Sequence, residues 1–134
     1  SMMPWNYTNT TTNFRRVAER LDSNRIKVMW GPADNMNCGE LDVATLGFTN
    51  VRPYLNSLHL KDLHVIDGQN LGFQYLPIGE GDVDFPTVLA NLHETRSDVV
   101  LSVSTHFRPP SNSPEEAMRI NYSNLRALIA KAQV

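Results

Sequence analysis

The residues able to do chemistry in this chain concentrate between Ser57 and Phe85. One end reads Ser57-Leu58-His59-Leu60-Lys61-Asp62 and the other Pro77-Ile78-Gly79-Glu80-Gly81-Asp82-Val83-Asp84-Phe85. In an extended backbone side chains alternate, so Ser57, His59 and Lys61 fall on one face and Leu58 and Leu60 on the other. An imidazole and an ammonium at the carboxyl end of a strand, followed by an acidic glycine-rich loop and a helix start, suit the rim of an α/β enzyme. There ligands bind beyond the strand C-termini. Lys61 and Glu80 are the candidate catalytic groups, and Asp34, Lys61, Glu80 and His106 the candidate substrate contacts. Each has a plainer alternative. Asp34 can cap the turn before Asn35, Lys61 and Asp62 can form stabilising ion pairs, Glu80 can be a solvated loop residue, and His106 can be a hydrogen-bonded structural histidine.

The elements that must position these residues follow from periodicity. Phe14, Val17, Ala18 and Leu21 recur at helical spacing, which predicts a helix capped by Thr12 or Asn13 behind a flexible arm over 1–12. Ile26, Val28 and Trp30 alternate and predict a strand over 25–30, closed by Gly31-Pro32. Residues 31–50 read as a loop with at most a helical turn, followed by a short helix over 49–55 with Pro53 near its first turn. The strand at 57–62 comes next, then a loop over 63–81. Asp84 caps a helix to about residue 95, with Pro86 in its first turn. Residues 98–104, rich in valine, have the composition of a strand covered on both faces. Ser113-Pro114-Glu115-Glu116 is a capping box that opens a long terminal helix. Helices and strands alternate, which implies parallel strands joined by right-handed crossovers.

Composition narrows the function classes. The 134 residues, 41% apolar, suffice for one domain over 1–134 but fall short of the roughly 250 of a complete eight-fold barrel. A net charge of −2 without a basic cluster argues against a nucleic-acid surface. The single cysteine, Cys38, rules out an internal disulfide and suits a reducing compartment. No apolar run approaches the roughly 20 residues of a membrane span, and no charged-then-apolar leader opens the chain, so a cytoplasmic location is expected.

The stretches His59-Leu60-Lys61-Asp62 and Pro77 to Phe85 resemble the penultimate strand and following loop of the xylose-isomerase-like sugar phosphate isomerase/epimerase family, TIM barrels of the AP-endonuclease-2 type. Val28-Met29-Trp30-Gly31-Pro32-Ala33-Asp34 is similar to that family's strand ending in Asp-Pro-Ala-Asn. Leu101 to Phe107 is similar to its final strand, and Ser113 to Ile129 to its terminal helix. The resemblance implies an α/β partial barrel of about three parallel strands with outer helices. It also implies a divalent metal, Mn, Mg or Zn, held by Glu, Asp, His and Glu, which polarises a sugar oxygen while a carboxylate moves a proton. Only His59 matches a metal ligand. The aspartate position is Gly31, the last glutamate position is Ser104, and Asp34 is the one substitute within reach.

Two functions follow. The first is a degenerate isomerase/epimerase-like partial barrel without metal or other cofactor, binding a small sugar or polyol, or a protein. The second is a metal-dependent sugar (phosphate) isomerase/epimerase whose site a partner chain or second copy completes. An endonuclease built on the same barrel lacks the extra histidines and basic groove it would need. Three parallel strands cannot close on themselves, so a homodimer is expected, with Trp5 and Tyr7 reaching across it.

Overall fold

The computed structural model describes residues 6–66, 68–69 and 72–132. Trp5 lies outside them, and Tyr7 is almost fully exposed.

Helix α1 (Thr11–Leu21) starts earlier than the periodicity suggests. Thr10, in extended conformation, caps it by accepting the Asn13 N–H at 3.2 Å, and the left-handed Asp22 ends it. The capping threonine leaves the next one free to bury: Thr11 gives its N–H and hydroxyl to the two Glu40 oxygens, at 2.8 and 2.5 Å. Residues 11 and 12 are therefore helix, not arm.

Strands β1 (Val28–Trp30), β2 (Leu55–Leu60) and β5 (Val100–Val103) form one parallel sheet in the order β1-β2-β5. Met29 pairs with Ser57 and Trp30 with Leu58, after an irregularity beside Val28; His59 pairs with Ser102 and Leu60 with Val103. All three strands are shorter than, or offset from, the expected spans. The architecture is α/β, a partial barrel with helices outside and no closure.

The helical layer covers one face only. Val28, Trp30, Leu58 and Leu60 are buried in a core with Phe48, Val51, Phe85, Val88 and Leu125. These come from α3 (Phe48–Val51), α4 (Phe85–Glu94) and α5 (Pro114–Ala132) as well as the sheet. On the other face Val100 is 65% and Met29 43% exposed, beside Ser57, His59 and Ser102. The expectation that the last strand is covered on both faces thus holds on one side alone: Leu101 and Val103 pack on the core, and Val100 does not.

Two segments read as loop carry secondary structure among the described residues. Between β1 and β2 lie α2 (Pro32–Met36), a π-helical turn over Val43–Gly47 capped by Asp42, α3, and a 3-10 turn over Arg52–Tyr54 that accommodates Pro53. Residues 63–81 carry a hairpin, β3 (Asp62–Ile66) antiparallel to β4 (Gly72–Leu76), with Asp62 opposite Leu76 and Ile66 opposite Gly72.

Candidate functional site

Two constellations occupy the carboxyl end of the parallel sheet, and they divide Lys61 from Asp62. Consecutive residues point to opposite sides of an extended chain, so Lys61 turns toward α2 while Asp62 turns under the glycine loop.

Asp62 organises that loop. Its Oδ1 accepts the N–H groups of Leu63 (2.9 Å) and Val83 (3.2 Å), and its Oδ2 those of Gly79 (2.8 Å) and Gly81 (3.0 Å). Burial pushes this carboxyl upward, and the four backbone donors pull it the other way. Gly79 has a φ of 86°, and a Cβ on Gly81 would lie 2.5 Å from the Leu63 carbonyl, so both glycines are dictated by the turn around this carboxylate. The loop is tied onward to α5: Asn121 Oδ1 accepts from Ile78 N–H at 2.9 Å, and Asn124 donates to the Ile78 carbonyl at 3.0 Å and to Glu80 Oε1 at 3.3 Å. Glu80 is exposed and faces Asn124. On the far side His64 Nδ1 lies 3.0 Å from Asp82 Oδ2, which also accepts the Val65 N–H at 2.7 Å and clamps the hairpin to the loop. The backbone donor, then the imidazole, hold Asp82 below the usual carboxylate range.

The second constellation gathers Asp34, His59, Lys61, Tyr75 and His106. Gly31 precedes α2 in extended conformation, and Asp34 in the first turn folds its carboxylate back over it. A Cβ on residue 31 would overlap Asp34 Oδ2. The carboxylate therefore lies directly beside the strand end where the resemblance expects an aspartate side chain. Asp34 is 1% exposed; Lys61 Nζ stands 2.6 Å from its Oδ1, and His59 Nδ1 lies 3.7 Å from its Oδ2. The lysine contact is an ion pair rather than a directed hydrogen bond. Among the described residues the Asp34 oxygens, His59 Nδ1 and Asn37 Oδ1 have no hydrogen-bond partner. Buried polar atoms are rarely left so, and a convergent set of them calls for a polar partner, water or ligand.

The hairpin closes the cluster from above. The Tyr75 ring stacks on His106 with centroids 4.8 Å apart, Lys61 Nζ lies 5.9 Å from the same ring, and Asn37 Nδ2 reaches the Tyr75 hydroxyl at 3.5 Å. Burial, then the Lys61 charge, lowers both His59 and His106 from 6.5, which favours the neutral imidazoles. Lys61 and Asp34 form the ion pair of the cluster, and Arg108 adds its charge near His106.

Of the candidates read from sequence, Asp34, His59, Lys61 and His106 come together, while Glu80 belongs to the Asp62 loop. Asn37 and Tyr75 are additions that the sequence reading did not single out. Ser104, at the last metal-ligand position of the resemblance, gives its N–H to the Leu60 carbonyl at 2.9 Å and offers no carboxylate. Among the described residues no three His, Cys, Asp or Glu side chains converge on a point where a metal ion could sit. Asp34 and His59 are the two that approach one, and the ammonium of Lys61 stands against the same carboxylate.

Comparison with known proteins places this arrangement. The sequence pattern of the xylose isomerase-like TIM barrel family matches residues 2–128. The chain belongs to that family. Among solved structures it is similar to a xylose isomerase domain protein from Planctomyces limnophilus, with a TM-score of 0.69 at 17% identity. That match covers 92% of this chain and 43% of the other, so the xylose isomerase-like chain spans less than half the length of its structural relative. Searching curated protein sequences returns no match. Among the described residues no helix is long and apolar enough to cross a membrane.

Proposed function

We propose that this xylose isomerase-like chain binds a small uncharged sugar or polyol at its strand ends and does not carry the family-type metal-dependent chemistry on its own residues. The reading is carried by the buried Lys61–Asp34 pair with the unpartnered Asp34 Oδ2, His59 Nδ1 and Asn37 Oδ1 beside it. These groups supply donors and acceptors a few ångströms apart, with the Lys61 ammonium already paired to Asp34, which matches vicinal hydroxyls. Tyr75 and His106 add ring faces for the apolar side of a sugar.

The test is a titration of wild-type chain with four- to six-carbon polyols and aldoses in a chelator, followed by NMR. Shifts confined to residues around His59, Lys61 and His106 are expected, with a Kd of about 1 mM, equivalent to about 4 kcal/mol. Loss of those shifts in Asp34→Asn completes the expected result. A panel that leaves the spectrum unmoved well above that concentration refutes the reading.

A second reading is supported by the unpaired outer edges of β1 and β5 and by the 43% coverage: a metal-dependent sugar isomerase or epimerase whose remaining ligands come from another chain or segment. It predicts metal-dependent turnover of a sugar that disappears in His59→Ala. The first reading predicts that His59→Ala changes binding alone.

A further inference from the structure

We infer that Lys61 is the resident cation of this site: its ammonium sits against Asp34 where a divalent ion would need to stand, and it keeps such an ion out. Asp34 is the buried carboxylate at the strand ends, and one of its oxygens is already 2.6 Å from Lys61 Nζ. The other is 3.7 Å from His59 Nδ1, so any metal bridging Asp34 and His59 would lie within a few ångströms of the ammonium. A buried lysine, 7% exposed at its side chain, cannot swing into solvent without leaving its stem's packing and its partner. One carboxylate then has to serve two cations at contact range, where repulsion is weakly screened.

The backbone reinforces this arrangement. Because residue 31 is glycine, Asp34 can fold back over the strand end, and because Asp34 does so, its carboxylate lies within reach of the lysine two residues beyond His59. An ammonium differs from a metal in what it can do. It donates hydrogen bonds to ligand oxygens and stabilises charge developing on them, but it has no coordination sphere in which to gather several oxygens at once. The ligand it suits is one whose hydroxyl or carbonyl oxygen accepts a proton-donor contact, with binding indifferent to chelators.

The inference rests on the strand ends being a ligand site, and its test uses manganese alone, so failure of polyol binding and failure of cation exclusion are read separately. Wild type, Lys61→Met, Lys61→Arg and the Lys61→Met/Asp34→Asn double variant are titrated with MnCl₂, followed by electron paramagnetic resonance and by broadening of the His59 ring signals. Wild type and Lys61→Arg are expected to show no stoichiometric site. Lys61→Met is expected to gain one Mn²⁺ per chain about a hundredfold more tightly, the order a displaced unit charge exerts at contact range, and the double variant to lose it. Stoichiometric Mn²⁺ in wild type with broadened His59 signals overturns the inference, as does a folded Lys61→Met that binds Mn²⁺ no better than wild type. Where Lys61→Met does not fold, Lys61→Leu takes its place in the titration with the same two outcomes.

Discussion

Replacing Asp62 by asparagine should be among the most damaging isosteric changes in this chain. Each carboxylate oxygen accepts two backbone N–H groups, Oδ1 those of Leu63 and Val83 and Oδ2 those of Gly79 and Gly81. An asparagine keeps one oxygen and turns an NH₂ toward the other pair, leaving two donors facing a donor. Each buried orphan costs about 1–3 kcal/mol, so the loss is about 2–6 kcal/mol with a centre near 4. For a chain of this length 1 kcal/mol moves Tm by about 4 °C, which puts the expected drop near 15 °C. Asp62→Ala should cost more, because all four donors lose their acceptor. Urea unfolding of wild type and both variants at pH 7 measures this, with the midpoint falling and the slope unchanged. An Asp62→Asn chain within about 0.5 kcal/mol of wild type would show that the carboxylate is not what holds the glycine loop.

Three further outcomes follow from the same contacts. Gly81→Ala forces a Cβ to 2.5 Å from the Leu63 carbonyl and should destabilise by about 1–3 kcal/mol or more in calorimetry, since neither neighbour is a flexible tip. His59 and His106 are both lowered from 6.5, so below that pH the unfolded chain binds more protons and stability falls as pH drops, until the folded imidazoles also titrate. A His59→Gln/His106→Gln variant should lose less stability between pH 7 and pH 5 in urea melts; an equal loss would remove the two histidines as its source. The open face around Val100 and Met29 and the free edges of β1 and β5 favour association, so light scattering at micromolar concentration should give a homodimer mass, and a monomer whose melt does not shift on dilution would exclude it.

The parallel strands were legible because Val28, Trp30, Leu58 and Leu60 alternate with Lys27, Met29, Ser57 and His59 against a helical layer. Their ends were not: the strand read as 57–62 runs Leu55–Leu60, because Asp62 turns under the glycine loop and starts β3. The hairpin was missed although Phe73-Gln74-Tyr75 alternates, because Gly72 and Pro77 on either side look like loop punctuation. For the site, sequence spacing put His59 and Lys61 on one face, and no spacing rule brings Asp34 back across Gly31. That fold-back depends on a missing Cβ, and Tyr75 and Asn37 enter only once the hairpin and α2 exist.

The division between Lys61 and Asp62 also separates the scaffold of the strand ends from the Asp34 cluster. The glycine loop is held by Asp62, tied to α5 by Asn121 and followed by the Asp84 cap of α4, and none of these contacts uses the Asp34 cluster. The side chains at 31 and 104 take no part in that scaffold, since Asn121 reaches only the backbone carbonyl of Ser104. The Asp34 cluster in turn draws its own cohesion from an internal ion pair. Breaking that pair by removing either partner leaves an uncompensated buried charge, so the chain is held to a site with a lysine at its centre.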